Sequence, residues 1–473
     1  MLPRMSRNDL VDEALLDRVQ RHAADFLRAL PDRHVGARAT RDELLSALRA
    51  PLGDRGDDPG EIIDLLAAQG DRGAVACAGP RYFGFVIGGS YPVALAADWL
   101  TSTWDQNPGI YATSPVVSVI EDVAREWLLE LFDLPRESGL GFVTGCQMAN
   151  FTCLAAARHG VLRRLGWDVE ADGLAGAPRI NLVTSAESHI TIDVAMRYLG
   201  FGTRHLLRVE TDGEGRMRAD RLRRLLDNLS GPTILCAQAG NVNTGAFDPL
   251  REIGEIAREH GAWLHVDSAF GLWARASREL GHLADGIELA DSWATDAHKW
   301  LNVPYDNGVA IVRHAEDQRA AMTSTAAYLV QTQGLERDSV DWVPEFSRRG
   351  RGITVYATLR ALGRSGVETL VDRSCARARQ MADVLRRAPG VEILNDVVLN
   401  QVLVRFGGDD ELTRRVIAGV QQEGTCWLGG TTWQEKAAMR ISVSNWSTTE
   451  EDAVRSAEAI LRVFAEIAAP VGS

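Results

Sequence analysis

Apolar residues recur at helical spacing through the first part of the chain, in "ALLDRVQRHAADFLRAL" (14–30), "RDELLSALRA" (41–50) and "EIIDLLAAQG" (61–70). Joints rich in Gly and Asp, such as "PLGDRGDDPG", separate them. These segments hold no evident core of their own, so residues 1–77 are expected to form a helical arm packed on something larger. "SPVVSVIEDVAREWLLELFDLP" (114–135) predicts an amphipathic helix with Val116, Ile120, Val123, Trp127 and Leu131 on one stripe. From residue 140 the rhythm changes. Short apolar strands are expected at 179–186, 204–210, 233–240, 262–269 and 307–313, with helical runs such as "RADRLRRLLDNL" and "LREIGEIAREHG" between them. Near-continuous apolar strands joined by helical crossovers predict an α/β domain, with a mostly parallel sheet covered on both faces. It is expected to span 78–360. Beyond it, the helical "ETLVDRSCARARQMADVLRRAPG", the strands "VEILND", "NQVLVRFG" and "AMRISVSNW" and a closing helix predict a smaller α+β domain over 361–473.

Composition narrows the function. The 473 residues are 45% hydrophobic and 24% charged, ordinary globular values. A net charge of −13 argues against a nucleic-acid partner, which needs a basic surface. Apolar stretches are broken well short of about eighteen residues, so no membrane span is expected. The N-terminus lacks the apolar core of a secretory signal. Cys77, Cys146, Cys153, Cys236, Cys375 and Cys426 show no CxxC pairing. A reducing, cytoplasmic location is the expectation.

Four features carry candidate chemistry, and each has an ordinary structural reading. "GFVTGCQMANFTCLAAARHG" (141–160) is a Gly-containing turn opening a helix, whose first N–H groups at Gly145, Cys146 and Gln147 could face a phosphate or simply start a buried helix. Asp267 in "AWLHVDSAFG" ends a buried strand, where a carboxylate needs a cation or several donors; a structural ion pair would satisfy it equally. His265 lies on the same strand face and is read as a core residue. His189 follows another strand end in "SAESHITIDVAM". Lys299 in "DAHKW" is either a snorkelling lysine or one held for chemistry; partial desolvation would lower its pKa and make it nucleophilic. Taken together on strand ends, a phosphate cradle, an acid, a flat imidazole and a lysine suit pyridoxal 5'-phosphate.

At these residues a family resemblance emerges. "HVDSAF" followed thirty-two positions later (267 to 299) by "HKW" is similar to the group II pyridoxal-phosphate amino-acid decarboxylases. The likeness extends from "GPRYFGFVIGGSYP" through "TGCQMAN", "AESH", "GNVNTGAFDPL" and "SRRGRGITVYATLRALG" to "MRISVSNWSTTEED". It implies fold type I and decarboxylation of an L-amino acid through a Schiff base on Lys299 and a quinonoid intermediate. By the same resemblance Asp267 meets the pyridine nitrogen and His189 stacks on the ring. Gly145, Cys146 and Gln147 cradle the phosphate, Ala269 lies against the other ring face, Asn241 is near the O3′ side, and His298 orients the lysine or touches the phosphate. No metal is implied. A homodimer with shared active sites is, the arm embracing the partner and Phe83 and Phe85 walling the neighbour's substrate pocket.

The chain also departs from the family pattern. Aromatic amino-acid decarboxylases carry a tyrosine on a loop before the "RR" motif, whereas 330–350 has none; Tyr328 and Tyr356 flank it. Relatives with phenylalanine there yield an aldehyde by decarboxylation coupled to oxidative deamination, which is the alternative reading. Asp296 stands where many members have asparagine. Arg440 is either a carboxylate clamp, which would favour transamination or a reaction at Cβ, or a structural pair. A cofactor-binding protein without activity is the rival from another class.

Overall fold

The computed structural model describes residues 11–323 and 336–469. Seven strands form the large sheet: β1 (Gly139–Val143), β2 (Asn181–Ser185), β3 (Leu207–Val209), β4 (Thr233–Gln238), β5 (Trp263–Asp267), β6 (Ser292–Asp296) and β7 (Gly308–Val312). Their spatial order is β1-β7-β6-β5-β4-β2-β3. Strands β2 to β6 pair in parallel, while β7 runs antiparallel to both of its neighbours, β1 and β6. The mostly parallel α/β sheet expected from the apolar runs is therefore present. The C-terminal ends of β1, β2, β4, β5 and β6 gather on one edge, beside the start of β7. β1 ("GLGFV") and β6 ("SWATD") lie outside the stretches read as strands from sequence; they are poor in the β-branched residues that mark the others.

The arm consists of α1 (Glu13–Ala29), α2 (Arg41–Leu48) and α3 (Pro59–Gly73), none of which contains a buried residue. Next come α4 (Pro92–Trp104) and α5 (Pro115–Leu131), then α6 (Cys146–Arg163), α7 (Val169–Asp172), α8 (Ile190–Tyr198), α9 (Ala219–Leu226), α10 (Leu250–Glu259) and α11 (Ala315–Met322). One apolar core joins α6 and α8 to one sheet face; another joins α5, α9 and α10 to the opposite face. The 35-residue α12 (Gly352–Arg386) leaves helical geometry at Gly363, where φ is 61°. That break lies beside the 360/361 boundary expected between the two domains.

Beyond α12, β8 (Val391–Ile393), β9 (Gln401–Phe406), β10 (Gly429–Trp433) and β11 (Lys436–Ser442) form an antiparallel sheet, with α13 (Asp410–Glu423) and α14 (Glu450–Ala468) against it. Residues 82–84 are drawn into this unit: Phe83 donates its N–H to Trp427 O and accepts at its carbonyl from Ser442 N. Phe83 is fully buried in the small-domain core. This corrects its expected place as a pocket wall, since a ring enclosed by the chain's own strands and helices cannot line a neighbour's cavity. Phe85, 61% exposed, does remain at the surface. After the undescribed 324–335, buried Arg348 grips Glu121 of α5 with two nitrogens, at 2.9 and 2.5 Å.

Close approach explains one glycine at the site edge. A side chain on Gly308, the first residue of β7, would collide with the backbone of Gly145. Gly308→Ala should therefore destabilise the fold by about 1–3 kcal/mol, the usual scale of overpacking. Chemical denaturation measures this; a change within a few tenths of wild type would show that the two turns do not pack as described.

Candidate active site

At the shared strand edge lies a cavity of about 250 Å³, lined among others by Gly145, Cys146, Gln147, His189, Asp267 and Lys299. Ala269, Phe270, Asp296 and His298 complete its inner wall. A larger cleft of about 720 Å³, along Asp212, Arg218, Asp248 and Asp396, contains no lysine and shares no lining residue with this cavity.

Each side chain is placed by a strand end or a helix start. β1 runs into the turn at Gly145, and α6 begins at Cys146 with no side-chain cap; the first N–H groups of such a helix lack intrahelical acceptors. β2 leads to His189, the N-cap of α8. β5 ends on Asp267, and β6 ends on Asp296, three residues before Lys299. The Asp267 carboxylate accepts from Asn150 Nδ2 at 3.3 Å, Ala269 N at 3.3 Å and the Cys146 thiol at 3.4 Å. Burial pushes the His189 imidazole below its ordinary value, so the ring is neutral near pH 7.

Lys299 departs from expectation. Burial alone would lower its pKa, but the groups around it, above all Asp296 with Oδ2 3.0 Å from Nζ, together outweigh the burial and raise it above the ordinary lysine value. The sequence reading of a lowered pKa overlooked this carboxylate. Asp296 also accepts the Cys146 N–H at Oδ1, at 2.6 Å. His298 Nδ1 accepts from Asn307 N at 3.0 Å, which leaves Nε2 directed at Asp296, 3.5 Å away.

Other expected residues fall elsewhere. Asn241 does not line the cavity; its Oδ1 accepts from Asn243 N and Thr244 N, closing a turn, and its Nδ2 donates to Glu187 O. Neighbours Gly240 and Val242 take the lining position. Arg440 on β11 is half-buried, and burial lowers its guanidinium from the usual range. Among the described residues it has no carboxylate partner, yet its charge is near enough to contribute to lowering His189. Tyr356 stacks on Trp127 with centroids 5.0 Å apart, whereas Tyr328 lies outside the described residues. Asn150, Thr191 and Asp296 were not assigned roles from sequence. For Asp296 the signal was present in its departure from asparagine.

The donor set fits pyridoxal 5'-phosphate. A lysine amine, an acid held by three donors, a neutral flat imidazole and the N-terminus of an 18-residue helix, whose Cys146 N–H is taken by Asp296, face one cavity.

Comparison with known proteins agrees. Residues 72–406 match the pyridoxal-dependent decarboxylase conserved domain. The chain is 26% identical over 445 residues to an aromatic-L-amino-acid decarboxylase of Bacillus atrophaeus, covering 90% of each. It is 32% identical over 323 residues to the acidic amino acid decarboxylase GADL1 of Mus musculus, covering 67% of this chain and 58% of that one. Among solved structures, Oryza sativa TDC with PLP and tryptamine superposes with a TM-score of 0.90 at 23% identity, covering 98% of this chain and 99% of that one. Mouse CSAD gives 0.88 at 24%, covering 97% and 99%.

Burial pushes the His265 imidazole down from 6.5 to about 4. The unfolded chain takes up this proton at higher pH than the folded one does. The stability His265 contributes is thus complete above about 6.5 and lost as pH falls through about 4. Across that window the unfolding free energy of wild type should fall more steeply than that of His265→Phe, by up to ~1.4 kcal/mol per pH unit. Denaturant titrations at several pH values test this; equal slopes would mean that the folded chain binds the proton.

Proposed function

The chain belongs to the pyridoxal-dependent decarboxylase family, and from that premise we propose that it releases CO2 from an L-amino acid, using pyridoxal 5'-phosphate linked to Lys299. The observation that carries this reading is the meeting of Lys299, Asp296, Asp267 and His189 in a single cavity. When bound, the cofactor supplies a conjugated electron sink for the pair left behind as the carboxylate departs.

The chain's own residues would divide the remaining work. The turn from Gly145 to Gln147 would hold the phosphate with backbone donors other than the Cys146 N–H, which Asp296 accepts. His189 and Ala269 would flank the ring, and Asp267 would hold a proton at its nitrogen, an electrostatic contribution that grows as charge develops. Lys299 must lose a proton before it can act as a nucleophile, and Asp296 at 3.0 Å is the nearest base. Once freed, the same amine can hold a proton at the reacting carbon. Half-buried Arg440, with no carboxylate partner among the described residues, would orient an anionic group of the substrate.

The relatives are named for aromatic and for acidic substrates, so they do not single out one side chain. A second reading has its own support: 336–350 contains no tyrosine, and Tyr356 is engaged with Trp127. With no tyrosine in that stretch to protonate the carbon, dioxygen would take up the electron pair, giving an aldehyde with release of CO2, ammonia and hydrogen peroxide. We also read the chain as a cytoplasmic homodimer with sites between subunits. All six cysteines are free, and the arm exposes Leu16, Leu27, Leu65 and Leu66, an apolar surface that a partner would cover. Among the described residues no helix is long and apolar enough to cross a membrane.

Purified holoenzyme given an amino-acid panel should release CO2 and amine in equal amounts under air and under nitrogen. Oxygen-dependent aldehyde and peroxide would select the second reading instead. Borohydride should fix the cofactor to wild type and fix none in Lys299→Ala; retention in the variant would overturn the assignment of Lys299. Arg440→Gln should raise KM on the order of ten-fold, the loss expected for one charge-assisted hydrogen bond. An unchanged KM would make Arg440 structural.

A further inference from the structure

One buried amide touches Asp267 and reaches His189 through Thr191. Asn150, on α6, is fully buried. Its Nδ2 lies 3.3 Å from Asp267 Oδ2 and 3.3 Å from Thr191 Oγ1. Its Oδ1 lies 2.9 Å from Nε2 of His265, itself fully buried. His265 Nδ1 in turn meets Ser292 Oγ at 3.0 Å, and that oxygen accepts the Trp263 indole N–H at 2.9 Å.

The direction of every bond in this chain follows from its two ends. An indole can only donate and a carboxylate can only accept. Asp267 therefore turns the NH2 of Asn150 toward itself, and the amide oxygen faces His265. That oxygen accepts, so His265 is protonated at Nε2, and its Nδ1 accepts the hydrogen of Ser292 Oγ. On the other branch, Thr191 Oγ1 accepts from Asn150 and donates its own hydrogen to His189 Nδ1, 2.8 Å away. The Thr191 backbone N–H also points at Nδ1, at 3.4 Å. Both contacts make Nδ1 an acceptor, so neutral His189 carries its proton on Nε2.

We propose that Asn150 is a positioning residue that couples Asp267 to His189, fixing with one amide the carboxylate for the cofactor's ring nitrogen and the Nε2–H tautomer of the imidazole. The proposal rests on the reading of Asp267 and His189 given above. Asn150 touches no reacting atom. It acts by removing the freedom of Asp267 to rotate and of His189 to change tautomer, while His265, Ser292 and Trp263 prevent the amide from flipping. The bonds are buried, where an unmatched polar group costs most.

The two branches make separable predictions. In holoenzyme labelled with 15N-histidine, the His189 resonances, assigned by their loss in His189→Gln, should report Nε2–H. Thr191→Val removes the Oγ1 link of the His189 branch and leaves only the longer backbone N–H contact: the tautomer should become mixed, and the pH dependence of the visible absorbance of the lysine-linked cofactor should match wild type. Asn150→Ala removes the amide's bond to each branch, freeing Thr191 Oγ1 to reorient: the tautomer should become mixed, the pH midpoint of that absorbance should shift, and kcat should fall on the order of ten-fold or more, as expected for a lost hydrogen bond to a buried charge. Asn150→Ser, which can restore one donor, should recover part of the shift and keeps the test open if the alanine variant does not fold. An Nδ1–H tautomer in wild type, or an Asn150→Ala or Asn150→Ser holoenzyme with both tautomer and absorbance profile of wild type, would overturn the proposal. A wild-type protein that binds no cofactor at Lys299 would instead overturn the underlying reading, while the tautomer measurement would still judge the hydrogen-bond chain.

Discussion

A charged amine inside a protein needs a partner, and here Asp296 supplies it. Its two oxygens join three parts of the chain: Oδ2 meets Lys299 and Oδ1 takes the first N–H of α6. A carboxylate 2% exposed would be a heavy burden alone. Set between an ammonium and a helix N-terminus, it is matched on both sides, because the helix start carries partial positive charge. The same contact fixes the lysine's protonation. Asp296 and the other groups around the amine together outweigh desolvation, so Lys299 is held as an ammonium with the acceptor for its proton already in contact.

The lysine turn is also where the two domains meet. Asn302, in the turn after Lys299, donates to Ser444 O at 3.0 Å and accepts from Trp446 N at 3.0 Å, both beyond β11. Tyr91 N donates to the Asn302 carbonyl, and a side chain on Gly88 would strike the carbonyl of Lys299. The segment from 82 to 91 therefore runs from the small-domain core to the underside of the reactive lysine. Displacement of either domain would be felt at Lys299, since packed interiors do not deform gradually.

The site's electrostatics follow from burial more than from net charge. The chain carries −13 overall, yet the cavity holds a balanced set: Asp267 among three donors, Asp296 paired with Lys299, and two imidazoles, His189 and His298, pushed toward neutrality by burial. A neutral ring is suited to stacking, whereas an imidazolium beside a pyridinium would repel it. Arg440 does not line the cavity, but its charge is near enough to help keep His189 neutral.

Periodicity by itself determined the α/β class, the arm, most strands and the order of the candidate groups, because apolar runs with period-two or helical spacing are written locally. Asp267, His189 and Lys299 were legible as residues of the right types on successive strand ends. The antiparallel β7 was not legible, since strand direction is set by connection and pairing. Nor was the burial of Phe83, which depends on a segment crossing to the second sheet. The raised pKa of Lys299 was decided by groups packed around it, Asp296 foremost, whose contacts no local pattern specifies, and the contacts of Asn150 by approaches between elements 41 to 117 residues apart. Sequence names the groups capable of chemistry; only tertiary packing brings their donors and acceptors within hydrogen-bonding distance, and that distance decides which proton each of them holds.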